Sequence, residues 1–145
     1  MPTSPATLLT DAQRAFLEPP RVAVVATVGE DGAPHQSTVW FRVDPDGAIM
    51  LNSRVARRWS RDLRRSRRIS IAVLDPDDGY RWLGLEAELA SLDDDPERGL
   101  EGIMELHRRY HDGAAGADVE AAYAAHPRVT FRVRIGRIHD HLEDA

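Results

Sequence analysis

Residues 21–53 contain three apolar-rich segments, "RVAVVATVG" (21–29), "HQSTVWFRVD" (35–44) and "GAIMLNS" (47–53), joined by "EDGAP" and "DPDG". The connectors are made of the residues that tight turns select, so the three segments are expected to be strands of two successive hairpins. In the middle one, Val39, Phe41 and Val43 alternate with Thr38, Trp40 and Arg42. A period of two sends the apolar side chains to one face, so one side of this sheet is buried and the other carries the polar, functional-looking groups.

The pattern returns downstream. "RISIAVLD" (68–75) turns Ile69, Ile71 and Val73 one way, and "PDDG" leads into "YRWLGLEAELASL" (80–92), long enough to bend or bulge near Gly84. "RVTFRVRIGRI" (128–138) is a closing strand. Helices interrupt the strands. One spans about 8–18, opened by a capping-box spacing from Thr10 to Gln13, with Leu8, Leu9, Ala12, Phe16 and Leu17 on one face and Pro19-Pro20 as its stop. "DDPERGLEGIMELHRRYH" is a second helix, with Leu100, Ile103, Met104, His107 and Tyr110 inward, and "GADVEAAYAAH" a short third. The 145 residues fit one domain, 1–145, with a barrel over about 21–92 and 128–138 and a helical insertion over about 94–126. The fold class is mainly β with helices (α+β), a Greek-key barrel of six to seven mostly antiparallel strands.

"SRVARRWSRDLRRSRR" (53–68) breaks the strand pattern. Val55, Trp59 and Leu63 make a helical stripe, and Arg57, Arg58, Arg61, Arg64 and Arg65 lie off it, facing solvent or ligand. From Arg54 to Arg68 there are eight arginines against one aspartate, +7, which leaves −12 for the rest of a chain whose formal charge is −5. Duplex DNA would meet that acidic body on either side of the helix, so nucleic acid is a poor fit and a local, shape-limited anion site a better one. The bland reading is a solvated face paired with the acidic remainder. The sharper one places Ser53, the first N–H groups of the helix, Arg54, Arg57 and Arg58 at one end, where guanidinium forks match phosphate oxygens.

Other chemistries find little support. The chain has no cysteine, which removes disulfides and thiolate sites. His107 and His111 have a zinc-compatible spacing but no accompanying motif, and His139 and His141 flank Asp140; packing or surface roles are expected for all four. There is no nucleophile elbow and no phosphate-cradling glycine loop. No apolar run approaches the length of a membrane span and no signal-peptide pattern opens the chain, so a soluble, cytoplasmic protein without membrane contact is expected. Trp40 falls on the polar face of its strand, which suits an interface or a ring-stacking surface.

The run from "RVAVVATVGEDGAPHQSTVWF" through "NSRVARRWSRDLRRSRRISIAV" to "DPDDGYRWLGLEAEL" resembles the pyridoxamine 5′-phosphate oxidase-like, split β-barrel flavin and deazaflavin oxidoreductases, and most of all their coenzyme F420-dependent branch. The likeness covers about Phe16 to Leu92 and resumes in the last strand. It implies an FMN-binding-like split barrel and a homodimer with cofactor clefts between the subunits. The ring of F420, or of FMN as the alternative, would rest on Ser37, Thr38, Val39 and Trp40. Asn52, Ser53, Arg54, Arg57 and Arg58 would hold the phosphate, and Tyr80, Arg81 and Trp82 would border the cleft, from the partner subunit in one arrangement. The implied activity is hydride transfer from reduced deazaflavin to a small unsaturated or conjugated substrate. An FMN-dependent reductase or oxidase, or a non-catalytic carrier of flavin, haem or a bilin, are the alternatives. No catalytic residue is singled out; Tyr80 and His35 are candidate proton donors beside solvent. Family members commonly carry a lysine where this chain has Trp59, which leaves Arg58 to supply the charge.

Overall fold

In the computed structural model, which describes residues 8–113 and 115–143, seven strands form one antiparallel sheet in the order β2-β1-β5-β6-β7-β4-β3. The strands are β1 (Ala23–Val28), β2 (Pro34–Val39), β3 (Arg42–Val43), β4 (Ile49–Arg54), β5 (Arg68–Asp75), β6 (Asp78–Asp93) and β7 (Arg128–His141). The helices are α1 (Asp11–Leu17), α2 (Arg58–Ser66), α3 (Pro96–Tyr110) and α4 (Ala117–Ala124). The two edge strands, β2 and β3, are joined by Trp40 and Phe41 alone. Three Cα steps reach at most about 11 Å, so the sheet must curl until its edges meet. The result is a barrel that stays split, because β2 and β3 share no ladder.

That step corrects the expected single strand over 35–44. Phe41 drops fully into the core while Trp40 turns toward α3, and side chains satisfy the backbone between them. The Phe41 N–H donates to the Tyr110 hydroxyl at 3.1 Å, and the Phe41 carbonyl accepts from Arg109 Nε at 2.8 Å. A buried peptide group needs a partner, and here two residues near the end of α3 replace a strand.

The barrel interior holds Val25, Phe41, Ile49, Leu51, Ile71, Val73, Leu83, Leu85, Phe131 and Val133, all essentially inaccessible. Helix α2 closes one side, its Trp59 and Leu63 buried, with the indole 5.7 Å from the Phe131 ring. Asp62, also buried, accepts from Thr27 Oγ1 at 3.2 Å and pairs with Arg65 at 3.2 Å and Arg58 at 3.8 Å. Part of the arginine run is therefore anchored on the helix's one acid.

Two details differ from the sequence expectation, and a third, the bulge expected near Gly84, is located by the structure. Helix α1 has the capping box at Thr10 and Gln13, but its inner face is Leu9, Gln13, Phe16 and Leu17, with Leu8 half exposed and Ala12 exposed. Gln13 takes the inward place because its Nε2 donates to Asp140 at 2.7 Å. Helix α3 buries Gly99, Gly102, Ile103 and Leu106 rather than Met104. A Cβ on Gly99 would lie 2.6 Å from the Arg128 carbonyl oxygen, and one on Gly102 2.5 Å from Thr130 Oγ1, so these glycines let the helix sit directly on β4 and β7. In β6 the register shifts fall at Glu86/Ala87 and Leu89/Ser91, just after Gly84. Gly84 instead makes room for the Trp82 ring, which stacks on His141 at 4.3 Å.

Candidate functional site

A cleft of about 430 Å³ opens where the end of β2, the end of β4, the head of α2, α3 and the start of β7 meet. Its lining includes Ser37, Thr38, Val39, Trp40, Asn52, Ser53 and Arg57, seven of the eleven residues expected to hold a cofactor. Val22, Trp59, Ile103, Leu106 and Arg128 complete it. A slightly larger hollow of about 550 Å³ lies across β1, β5, β6 and β7. It is walled by Arg68, Glu86, Glu88, Arg134 and Arg137, charges of both signs that neutralise one another. The smaller cleft is the better site, because its charges are of one sign and unanswered.

One end of the cleft is aromatic and apolar. The Trp40 ring stacks on Tyr110 at 5.1 Å with 13° between planes, and the His107 and His111 rings stand edge-on to it at 6.2 and 5.4 Å. Burial pushes the Tyr110 hydroxyl above the usual phenol value, so it stays neutral and donates to the Arg21 carbonyl at 2.6 Å. His107 Nδ1 lies 3.0 Å from the Tyr123 hydroxyl and its ring stacks on His111 at 4.4 Å. These contacts fit the packing roles expected of the pair, and no cluster of three or more metal-ligating side chains occurs among the described residues.

The other end is cationic. Arg57 is the N-cap of α2 and makes no side-chain capping hydrogen bond, so the cap leaves the helix's leading N–H groups without an acceptor of its own. Ser53 does not cap this helix either; its hydroxyl donates to the Arg54 carbonyl at 2.8 Å. Arg54 and Arg128 are register partners across β4 and β7, and each has a buried Nε without an acceptor. Among the described residues, Arg54, Arg57 and Arg128 make no ion pair. Burial, then the nearby guanidiniums of Arg54 and Arg57, push the Arg128 pKa below the usual arginine value.

Of the remaining expected residues, none lines the cleft itself in this chain, and only Arg54 stands next to it, beside Arg128. Arg54 and Arg57 line an adjoining hollow of about 530 Å³ with Val55, Ala56, His126 and Pro127. Arg58 turns away toward Asp62 and the β1–β2 turn at Gly29. Tyr80, highly exposed, stands near the tip of the β5–β6 hairpin, and Arg81 pairs with Asp75 at 3.1 Å while lying over the Phe16 ring. His35 is half buried on β2 opposite Thr27 and does not line the cleft. Trp59 lines the cleft with a buried, uncharged indole, so position 59 offers no charge there. Arg128 is the polar residue that sequence reasoning missed. Its one signal would have been the register with Arg54, which no local pattern reveals.

The model of the family described as pyridoxamine 5′-phosphate oxidase matches residues 9–142. The chain belongs to that family. It is 31% identical over 104 residues to an F420H(2)-dependent biliverdin reductase of Mycobacterium tuberculosis (strain CDC 1551 / Oshkosh), a match covering 72% of this chain and 71% of that protein. Among solved structures it is similar to an F420 reductase, with a TM-score of 0.74, 25% identity, and coverage of 90% and 98% of the two chains. A conserved hypothetical protein of Mycobacterium tuberculosis has the same fold, at a TM-score of 0.71 and 24% identity over 97% of this chain and 91% of that one. The split barrel is thus the family fold, and no helix among the described residues is long and apolar enough to cross a membrane.

Proposed function

We propose that the chain is an oxidoreductase that holds reduced coenzyme F420 in this cleft and reduces a small conjugated substrate beside it. The observation that carries the reading is the meeting, in one cleft, of a ring-sized apolar wall and an uncompensated cationic corner. A ligand that joins a flat chromophore to an oxyanion matches both ends, and the corner's buried donors without acceptors fit a group that brings its own charge. Two relatives named for F420 chemistry support deazaflavin over FMN.

When bound, reduced F420 supplies a hydride from its C5. The chain's part is to bind, orient and exclude water. The segment Ser37–Trp40, the end of β2 and the residue after it, would carry the ring, with Ile103 and Leu106 of α3 on the other wall. Arg57 and the leading N–H groups at the head of α2 would meet the phosphate. Among the described residues the lining itself contains no carboxyl, imidazole or phenol, the nearest being Tyr110, His107 and His111 packed behind Trp40, which points to solvent as the proton source in one chain.

A second copy of the chain would complete the site. Val22 just before β1, Val28 of β1 and Leu74 of β5 are exposed apolar side chains, and Val22 also lines the cleft. A partner covering that face would wall the cleft, and the exposed Tyr80 and half-buried Arg81 of its hairpin would border it. Anaerobic stopped-flow absorbance tests the activity, by following reoxidation of reduced F420 on mixing with protein and biliverdin or simpler conjugated enones. Saturable, protein-dependent reoxidation is expected; reoxidation no faster than without protein, for every acceptor, contradicts the reading.

A further inference from the structure

Asn52 and Arg128 are linked in a way that decides which of them meets a ligand. Asn52 is 8% exposed and its amide is fully committed. Nδ2 donates to the Gly99 carbonyl at 2.9 Å and to Thr130 Oγ1 at 3.1 Å, and Oδ1 accepts from Arg128 Nη1 at 3.0 Å. A guanidinium only donates, so Oδ1 must face it, and both amide donors are spent elsewhere. Little of Asn52 is left for a cofactor. Gly99 and Gly102 make this possible, since a Cβ on Gly102 would sit 2.8 Å from Asn52 Nδ2.

Arg128 is in the opposite condition. Its guanidinium carbon lies 5.1 Å from the centre of the Tyr123 ring, which holds the fork from one side while Asn52 holds it from another. Its Nε is buried without an acceptor, as is that of Arg54, its register partner. Arg21 has a similar buried nitrogen, but Asp75 lies 3.5 Å from it; Arg54 and Arg128 have no carboxylate. Arg57 adds a third positive charge to the repulsion at Arg128. A folded chain that clusters like charges and buries unmatched donors gives up stability there, which is characteristic of a binding site awaiting the opposite charge.

We propose that Arg128 and Arg54, with Arg57 beside them, form a seat for a phosphate-type oxyanion. Asn52 is a positioning residue that aims the Arg128 fork rather than a ligand contact. The identity of the ligand rests on the cofactor reading above; the seat itself does not.

Two measurements on the full chain separate them. The first is the melting temperature in inorganic pyrophosphate against sodium chloride of equal ionic strength. The second is the affinity for F420 against its phosphate-free deazaflavin chromophore, by fluorescence titration. Wild type should be stabilised by pyrophosphate beyond chloride and should bind F420 about 100-fold tighter than the phosphate-free form. R128Q and R54Q should each lower that ratio about tenfold by weakening F420 alone. R61Q, the same charge change on an exposed face of α2, should alter it less than about twofold. N52A should lower the ratio while leaving the phosphate-free affinity unchanged. R128K, which keeps the charge and loses the fork, should fall between wild type and R128Q, and it carries the test should R128Q not fold. A wild-type ratio in R128Q and R54Q overturns the seat, and equal weakening of both ligands in N52A overturns the positioning role. Should neither deazaflavin nor FMN bind while pyrophosphate stabilisation still depends on Arg128, the cofactor reading fails and the seat stands. A ring that binds without regard to phosphate does the reverse.

Discussion

Trp59→Ala should cost the protein a large part of its stability. The indole is 3% exposed, tilted against Phe131 at 5.7 Å, and lies with Leu63 on the face of α2 that seals the barrel; Val55, expected on the same stripe, falls in the turn before the helix. Burying a Trp removes roughly 150–250 Å² from water, worth about 4–6 kcal/mol at about 25 cal/mol per Å² as an upper bound. Measured Trp→Ala costs in cores of about 3–5 kcal/mol agree with that. Domains of this size have about 5–15 kcal/mol in total, so the variant would be marginal, its melting temperature lower by roughly 10–20 °C. Trp59→Lys should be worse, because it leaves the cavity and adds a cation beside the uncompensated arginines, even though lysine is the residue the family resemblance expects there. Urea unfolding followed by far-UV circular dichroism measures both, with an unchanged slope showing that the folded state is intact. A loss below about 1 kcal/mol in either variant would refute the placement of the indole in the core.

Gly102→Ala should destabilise by about 1–3 kcal/mol despite alanine's better helix propensity, because its Cβ would meet Thr130 Oγ1 at 2.5 Å; thermal unfolding reads it. Asp62→Asn should cost about 1–3 kcal/mol, since a buried acceptor shared by Thr27, Arg58 and Arg65 loses its charge; the same assay applies. Acid should weaken the fold through Asp75, Glu86, Asp93 and Asp140. Their pKa values are lowered chiefly by hydrogen bonds: to Asp75 from the Asp77 backbone, to Glu86 from His139, to Asp93 from Arg98, and to Asp140 from Gln13. A depressed carboxyl stabilises the fold above its unfolded pKa, so the contribution holds at pH 7 and is lost as pH falls below about 4; melting curves at pH 7 and pH 3.5 test the sign. Light scattering should give twice the chain mass of 16.2 kDa, and Leu74→Glu should shift it toward the monomer.

Most of the barrel was legible because its signals are local. Turn formers bracket period-two strands, Thr10 and Gln13 cap α1, and the Trp59–Leu63 spacing fixes the buried side of α2, with Val55 left in the turn before it. The break at Trp40–Phe41 was not legible, because the groups that satisfy it, Arg109 and Tyr110, lie almost seventy residues away. The inward glycines of α3 were missed for a similar reason. A helical period marks apolar positions, whereas Gly99 and Gly102 face inward because β4 and β7 press against them. In the cleft, the contribution of β2 and β4 was readable from their position in the chain. Arg128 was not, being one of 19 arginines and distinguished only by a partner across the sheet. Tyr80 and Arg81 lie outside the cleft in one chain, and what they border depends on the surface opposite them.

Equilibrium titration of the purified protein with F420 and, separately, with FMN tests the central claim most directly. Saturable F420 binding at one site per chain is expected, with FMN at least about tenfold weaker. A protein that is yellow as isolated with tightly held FMN, or one that leaves F420 fluorescence unchanged at millimolar ligand, would contradict it.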